Sequence, residues 1–193
     1  MKLVHKKGEA NDPRNFRMIA LTGCIGKSFN LILSDRLTTF LVKNKFIDET
    51  LQKAFLPGIN GCIEHNVVMD EIVKDAKSRN KTVHITFFDL EDAFGSVPHS
   101  LIQETLQRNY LPQNVQEYFK NTYNQAQSIV KTHNFKTDPF SFKRGVFQGD
   151  PVSPIIFLLA FNPILQFLKM EDSLGYCLQN KKFITLLMQM TSA

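Results

Sequence analysis

The sequence predicts an α+β fold, and three observations lead there. Hydrophobic residues make up 43% and charged residues 21% of 193 residues, enough for a packed core and too apolar for disorder. Apolar positions recur at helical spacing in some stretches and as β-branched or aromatic runs in others. The two kinds follow one another without the regular alternation of a doubly wound sheet.

The order of elements begins with a hairpin. Residues 2–7 and Phe16–Leu21 read as strands joined by a polar Asn-Asp-Pro loop, with basic residues at its ends. Ile25, Phe29, Ile32, Leu33, Leu37, Phe40 and Leu41 recur at helical spacing and predict an amphipathic helix with those side chains inward. Pro57-Gly58 and Asn60-Gly61 mark a loop. A second helix follows with Ile63, Val67, Ile72, Val73 and Ala76 inward, and Lys74, Lys77 and Arg79 near its C-terminal end, where cations suit the helix dipole. Val83–Phe88 is β-branched and aromatic on both faces, which predicts a central strand. Helices are expected from Pro98 to about Arg108 and over Val115–Tyr123, broken by Leu111-Pro112. Ser128–His133 and Phe140–Val146 read as a hairpin, Pro151–Leu168 as a long helix starting near two prolines, and Gly175–Leu178 with Phe183–Leu187 as a last hairpin.

Composition narrows the partners. The net charge of +5 is compatible with a polyanion, and equally with ordinary variation in basicity. Cys24, Cys62 and Cys177 are too few and scattered for a disulfide framework, so an intracellular setting, nucleus or cytoplasm, is expected. Cys62 and His65 form one C-x-x-H without a second pair to complete a zinc site. The N-terminus lacks the apolar stretch of a secretory leader. The apolar run Pro154–Leu168 contains Asn162, Pro163 and Gln166 and falls short of the roughly twenty residues of a membrane span. A buried helix and no membrane association are expected.

The chemistry concentrates in two strings. Asp89–His99 reads D-L-E-D-A-F-G-S-V-P-H after the apolar run, and Gly145–Pro154 reads G-V-F-Q-G-D-P-V-S-P. A carboxylate leaving a rigid central strand offers the hard oxygen that a magnesium ion takes in nucleotidyl transfer. The bland reading, an Asp capping a turn, stays open for Asp89 alone. Phe94, five residues on, is either a plate beside that site that crowds a sugar 2′ position or one of 17 phenylalanines in a core. Gly145 and Gly149 let backbone approach a ligand, Gln148 offers a donor and an acceptor to a base edge, and Pro151 and Pro154 stiffen the start of the next helix. A Gly-Pro turn before a helix explains the prolines but not the whole string.

Together these strings resemble the palm of reverse transcriptases, in particular those of non-LTR (LINE-type) retrotransposons. Upstream, L-V-H-K-K-G with N-D-P-R-N-F-R-M-I-A-L resembles their fingers motif, and Gln52–His65, Q-K-A-F-L-P-G-I-N-G-C-I-E-H, resembles the next block. The strings stand in the family's order over almost the whole chain. The resemblance implies a right-hand polymerase fold: fingers over residues 1–80 and a partial palm over 81–193, with a small antiparallel palm sheet backed by helices. It implies RNA-directed DNA synthesis on an RNA template and DNA primer from deoxynucleoside triphosphates, with two Mg2+ ions. Asp89 would hold those ions and Phe94 would be the steric gate against ribonucleotides. Gln148 and Gly149 would line the incoming nucleotide, and Arg17 would contact its phosphates with help from Lys7 or Lys6. Lys6, Gly145, Pro151 and Ser153 would lie along the nucleic acid. A group II intron-type maturase, sharing the palm motifs, and an unrelated magnesium-dependent phosphotransferase are the other readings.

Some positions depart from the pattern. Met18 stands where the family usually has Pro, and Gly95 where many members have Asp. Asp150 is usual in this group and is read as structural. The family's second metal-binding pair, in a Tyr-Ala-Asp-Asp hairpin, is expected near residue 188, where the chain reads L-L-M-Q-M-T-S-A. Codons CTT ATG CAG ATG ACN for Leu187–Thr191, read from the last T of CTT, encode Tyr-Ala-Asp-Asp. A frameshift before that box is therefore expected, and a CAA codon at Gln189 refutes it. Asp172 is the nearest downstream acid, in an expected loop. With the pair and the thumb missing, the chain alone is expected to polymerise little or not at all, as a catalytically incomplete fragment or a degenerate nucleic-acid-binding remnant. An unfinished palm sheet edge would make it poorly soluble.

Overall fold

The computed structural model describes residues 2–6, 8–56, 58, 61–131, 135–171 and 175–183, except for the side chains of Lys2 and Cys62. The loop Pro57–Asn60 in part, Lys7, Asp172 and the stretch expected to carry the frameshift lie outside the described residues. The architecture is α+β: helices with three small two-stranded antiparallel sheets. Two compact units form, residues 1–39 with 91–160 and residues 40–90 with 161–193.

In the first unit, β1 (Lys2–His5) pairs with β2 (Phe16–Ile19) in the expected hairpin, with Val4 opposite Arg17. A 3-10 turn over Pro13–Asn15 closes it, capped by the Asp12 carboxylate, which accepts from Arg14 N–H at 2.9 Å. Helix α1 spans Cys24–Lys43, its residues from Phe40 on belonging to the second unit, α3 Ala93–Ser96, α4 His99–Arg108 and α5 Gln113–Gln125. Ile102, Thr105 and Leu106 of α4 are buried, as are Phe119 and Tyr123 of α5, a spacing of three and four that gives each helix one inward stripe. Strand β3 is Gln127–Ser128 and β4 Phe140–Ser141, a shorter ladder than expected, followed by a lone Lys131–Lys136 bridge. Helix α6 spans Ser153–Met170, its residues from Phe161 on belonging to the second unit. By length and composition it could cross a membrane, but six consecutive buried residues, Ile155–Ala160, make it a core helix.

The second unit holds α2 (Gly61–Ser78), with Ile72 and Ala76 buried, and the hairpin β5 (Tyr176–Leu178) with β6 (Lys181–Phe183). Gln179 and Asn180 both take positive φ, the two-residue turn whose twist suits a hairpin. The second strand thus comes earlier than Phe183–Leu187, of which only Phe183 is described. Tyr176 donates its hydroxyl to Asp75 at 2.7 Å, and Lys169 pairs with Asp48 at 2.5 Å.

Three expectations are corrected. Val83–Phe88 forms no strand: residues 81–90 join no ladder among the described residues, and Phe87 and Phe88 are 73% and 86% exposed. Strand propensity describes a fit to a pleated, half-buried surface, so without a ladder it produces no strand. On α1, Ile25, Phe29 and Ile32 face outward, and the buried positions are Asn30, Leu37 and Leu41. The helix is apolar on several sides at its start, so periodicity does not single out a face. On α2, Ile63 and Val67 are likewise exposed.

Candidate nucleotide-binding site

The residues from Gly145 to Ser153 are held at nearly every step. Gly145 N–H donates to the Val97 carbonyl at 2.7 Å and Val146 N–H to that of Phe94 at 2.8 Å. The His99 ring N–H donates to the Gly145 carbonyl at 3.0 Å. Gly145 has φ +95, and a Cβ there would lie 3.0 Å from both the Cα and the carbonyl oxygen of Gly95. The two backbones cross so closely that only glycine fits without displacement. Val146 is buried, and the Phe147 ring sits 5.4 Å from Tyr123 and 6.0 Å from Phe142.

With Phe147 anchored inward, Gln148 is half-buried and its side-chain amide takes no partner among the described residues. Its carbonyl accepts from Ala20 N–H at 2.7 Å. Gly149 has φ +98, and a Cβ there would lie 3.0 Å from the Ile19 methyl and 3.1 Å from the Ala20 carbonyl. The end of β2 therefore rests directly on the turn. Arg17, two residues before Ile19, is half-buried and makes no ion pair among the described residues. Lys6 is exposed, its backbone N–H bonded to the Asn15 carbonyl.

Phe94 is half-buried, its ring 5.2 Å from that of Phe157 in α6. One side of the ring is thereby fixed on the core. Pro151 is half-buried ahead of α6. Ser153, expected along nucleic acid, is 1% exposed and its hydroxyl has no partner among the described residues, so it lies beneath the surface and out of reach of a polymer.

Behind the turn lies a polar network that sequence reasoning missed. Asp150 is 7% and Asn30 4% exposed. Asn30 Nδ2 donates to Asp150 Oδ1 at 2.9 Å and Oδ2 at 2.7 Å, and Val152 N–H donates to Oδ1 at 3.2 Å. Tyr118 donates its hydroxyl to Asn30 Oδ1 at 2.5 Å. The available signal was Asn30 itself, seven residues before Leu37 on the stripe that α1 buries.

Burial pushes the Asp150 carboxyl above the usual carboxylate range, against the Val152 and Asn30 bonds that hold it down. The sign of the linkage follows. Above the unfolded value of about 3.9, and up to the raised folded value, the native chain keeps a proton that the unfolded chain has released. This group's contribution to stability therefore grows as pH falls through the folded value, opposite to a salt-bridged Asp. Urea unfolding from about pH 7 to about pH 4 is expected to show the wild type gaining stability relative to Asp150→Asn. A constant difference between the two counts against it.

Asp89 lies in the second unit, exposed, on the stretch of residues 81–90 that joins no ladder among the described residues. It lacks the rigid strand expected beneath it. Among the described residues no three His, Cys, Asp or Glu side chains gather as a metal-binding cluster. One exposed carboxylate does not satisfy two magnesium ions, so the described donors do not complete such a site.

The chain matches the profile of the reverse transcriptase (RNA-dependent DNA polymerase) family over residues 4–182 and belongs to that family. Within it, the chain resembles the polymerase domains of non-LTR retrotransposons. It is 30% identical over 87% of its length to the retrovirus-related Pol polyprotein from type-2 retrotransposable element R2DM of Drosophila melanogaster, covering 15% of that protein. It is 28% identical over 93% of its length to the Pol polyprotein from type-1 retrotransposable element R2 of Nasonia vitripennis, covering 17%. A transposon TX1 protein of Xenopus laevis is 29% identical over 88% of the chain, which covers 13% of it. The chain thus spans about one-sixth of the length of the two R2 relatives.

Proposed function

We propose that this chain binds a deoxynucleoside triphosphate as the fingers, residues 1–80, and part of the palm, residues 81–193, of a right-hand RNA-directed DNA polymerase. The single observation that carries this reading is the bond from Ala20 N–H to the Gln148 carbonyl, with Gly149 packed beneath Ile19. It couples the hairpin bearing a guanidinium to a turn bearing an amide, both side chains unpaired among the described residues. Arg17 would fork onto the phosphates, assisted by Lys6 or Lys7. Gln148 would meet the nucleotide, Gly149 would admit it close to the backbone, and Phe94, braced by Phe157, would exclude a ribose 2′-hydroxyl. Gly145 and Pro151 would shape the path of an RNA template and DNA primer. Reverse transcriptases work with divalent cations such as Mg2+, which supply charge neutralisation at the phosphates when bound. Asp89 would be one ligand.

Titration of the 193-residue chain with dATP and magnesium tests the site. Arg17→Ala is expected to weaken binding about tenfold to a hundredfold, the worth of a charge-assisted bond, with Arg17→Lys between. Absence of binding by the wild type overturns the reading. A second reading, nucleotide or nucleic-acid binding without polymerisation, is favoured by the lack of a metal-binding cluster among the described residues. Primer extension on an RNA template, with Asp89→Ala as the control, separates the two. Extension by the wild type that Asp89→Ala abolishes rejects the binding-only reading.

A further inference from the structure

We propose that Asp150 is a positioning residue, which holds the Gln148-Gly149 turn in its nucleotide-receiving geometry through the Asn30–Tyr118 relay. This rests on the nucleotide-site reading above. The turn is fastened on one side by backbone alone, from Ala20 to Gln148. Its other fastening is made of side chains: both carboxylate oxygens of Asp150, the residue after Gly149, accept from the Asn30 amide nitrogen. The three members come from three elements, 120 residues apart between Asn30 and Asp150 and 88 between Asn30 and Tyr118.

Tyr118 can only donate to the Asn30 oxygen, which turns the Asn30 amine toward Asp150 and demands an acceptor there. Among the described residues no lysine or arginine bonds to Asp150, so a carboxylate nine-tenths buried is carried by neutral donors. A solely structural site would be served as well by an apolar group of similar volume. A bidentate acceptor does something an apolar group cannot: it fixes the rotation of the peptide that carries Gln148 relative to α1.

The pairing can be inverted. In the exchange Asn30→Asp with Asp150→Asn, Tyr118 still donates to position 30, the amide at 150 donates back to the new carboxylate, and its oxygen still accepts Val152 N–H. Asp150→Asn alone sets two amines face to face. The test is calorimetric titration of the full chain with dATP and magnesium, with far-UV circular dichroism and thermal melting for each variant. Asp150→Asn, folded at the assay temperature, is expected to bind about tenfold more weakly, and the exchange to return within about twofold of the wild type. If Asp150→Asn does not fold, the exchange carries the test, because it keeps a donor facing an acceptor between positions 30 and 150. A folded Asp150→Asn that binds as the wild type or more tightly overturns the inference alone. So does an exchange that fails to fold, or that binds no better than Asp150→Asn. A wild type that binds no dATP removes the nucleotide site and this inference with it.

Discussion

Gly149→Ala is expected to destabilise the chain by about 2–3 kcal/mol and to abolish most of its nucleotide affinity. The first contribution is conformational. A φ of +98 lies where L side chains are strained, at a cost of about 1–3 kcal/mol. The second is steric. The added methyl meets the Ile19 methyl at 3.0 Å and the Ala20 carbonyl at 3.1 Å, and the latter is backbone with little room to yield. The relief available is for the end of β2 to lift from the turn. That breaks the bond from Ala20 to Gln148 and separates Arg17 from it. Gly23→Ala is the control: nothing lies within 4 Å of its added methyl, and a change within about 0.5 kcal/mol is expected. Urea unfolding and dATP titration of the two variants check the result. Equal behaviour would mean that the close approach at Gly149 does not matter.

Phe119→Ala is expected to have the largest effect on stability, about 3–5 kcal/mol. Phe119 is 1% exposed, its ring 5.3 Å edge-on to Tyr118 and 6.3 Å stacked on Tyr123. Truncation leaves a cavity in the α5 platform. Against a typical total of about 5–15 kcal/mol, that cost would leave the first unit partly unfolded at room temperature. Phe119→Leu keeps most of the volume and is expected to cost less than about 1.5 kcal/mol. The platform also serves the site. Tyr118 orients Asn30 and Tyr123 packs on Phe147, so the alanine variant should lose dATP binding in step with its folded fraction. Chemical denaturation followed by circular dichroism measures the first effect, and titration the second. A loss below about 1.5 kcal/mol on Phe119→Ala would show that this platform closes over the cavity.

Much of the architecture was legible because its signals are local. The β1–β2 hairpin announced itself through its Asn-Asp-Pro loop, and α4 and α5 through Pro98 and Pro112 at their N-caps. Helix α6 followed from its paired prolines and apolar run. The Gly145–Pro154 string marked a turn that admits close approach, and both glycines indeed take positive φ. Legibility stopped where an answer needed a distant partner. Val83–Phe88 has the composition of a strand, but a ladder takes two chains and none of the described residues offers the second. Ile25, Phe29 and Ile32 have helical spacing, but so does the set beginning at Asn30. Two stripes of one helix cannot be ranked without knowing what lies opposite.

Family membership, the β1–β2 hairpin, helices α4 to α6 and the turn that would receive a nucleotide were determined by the sequence alone, since each rests on motifs or on residues within a few positions of one another. Only the tertiary structure decided that Asn30 faces Asp150, that Tyr118 completes their relay, and that β2 lies on Gly149. The physical reason is range. Turn chemistry and helical period act over a few residues, whereas a buried hydrogen bond between side chains 120 residues apart exists only once the folded chain has excluded water from both.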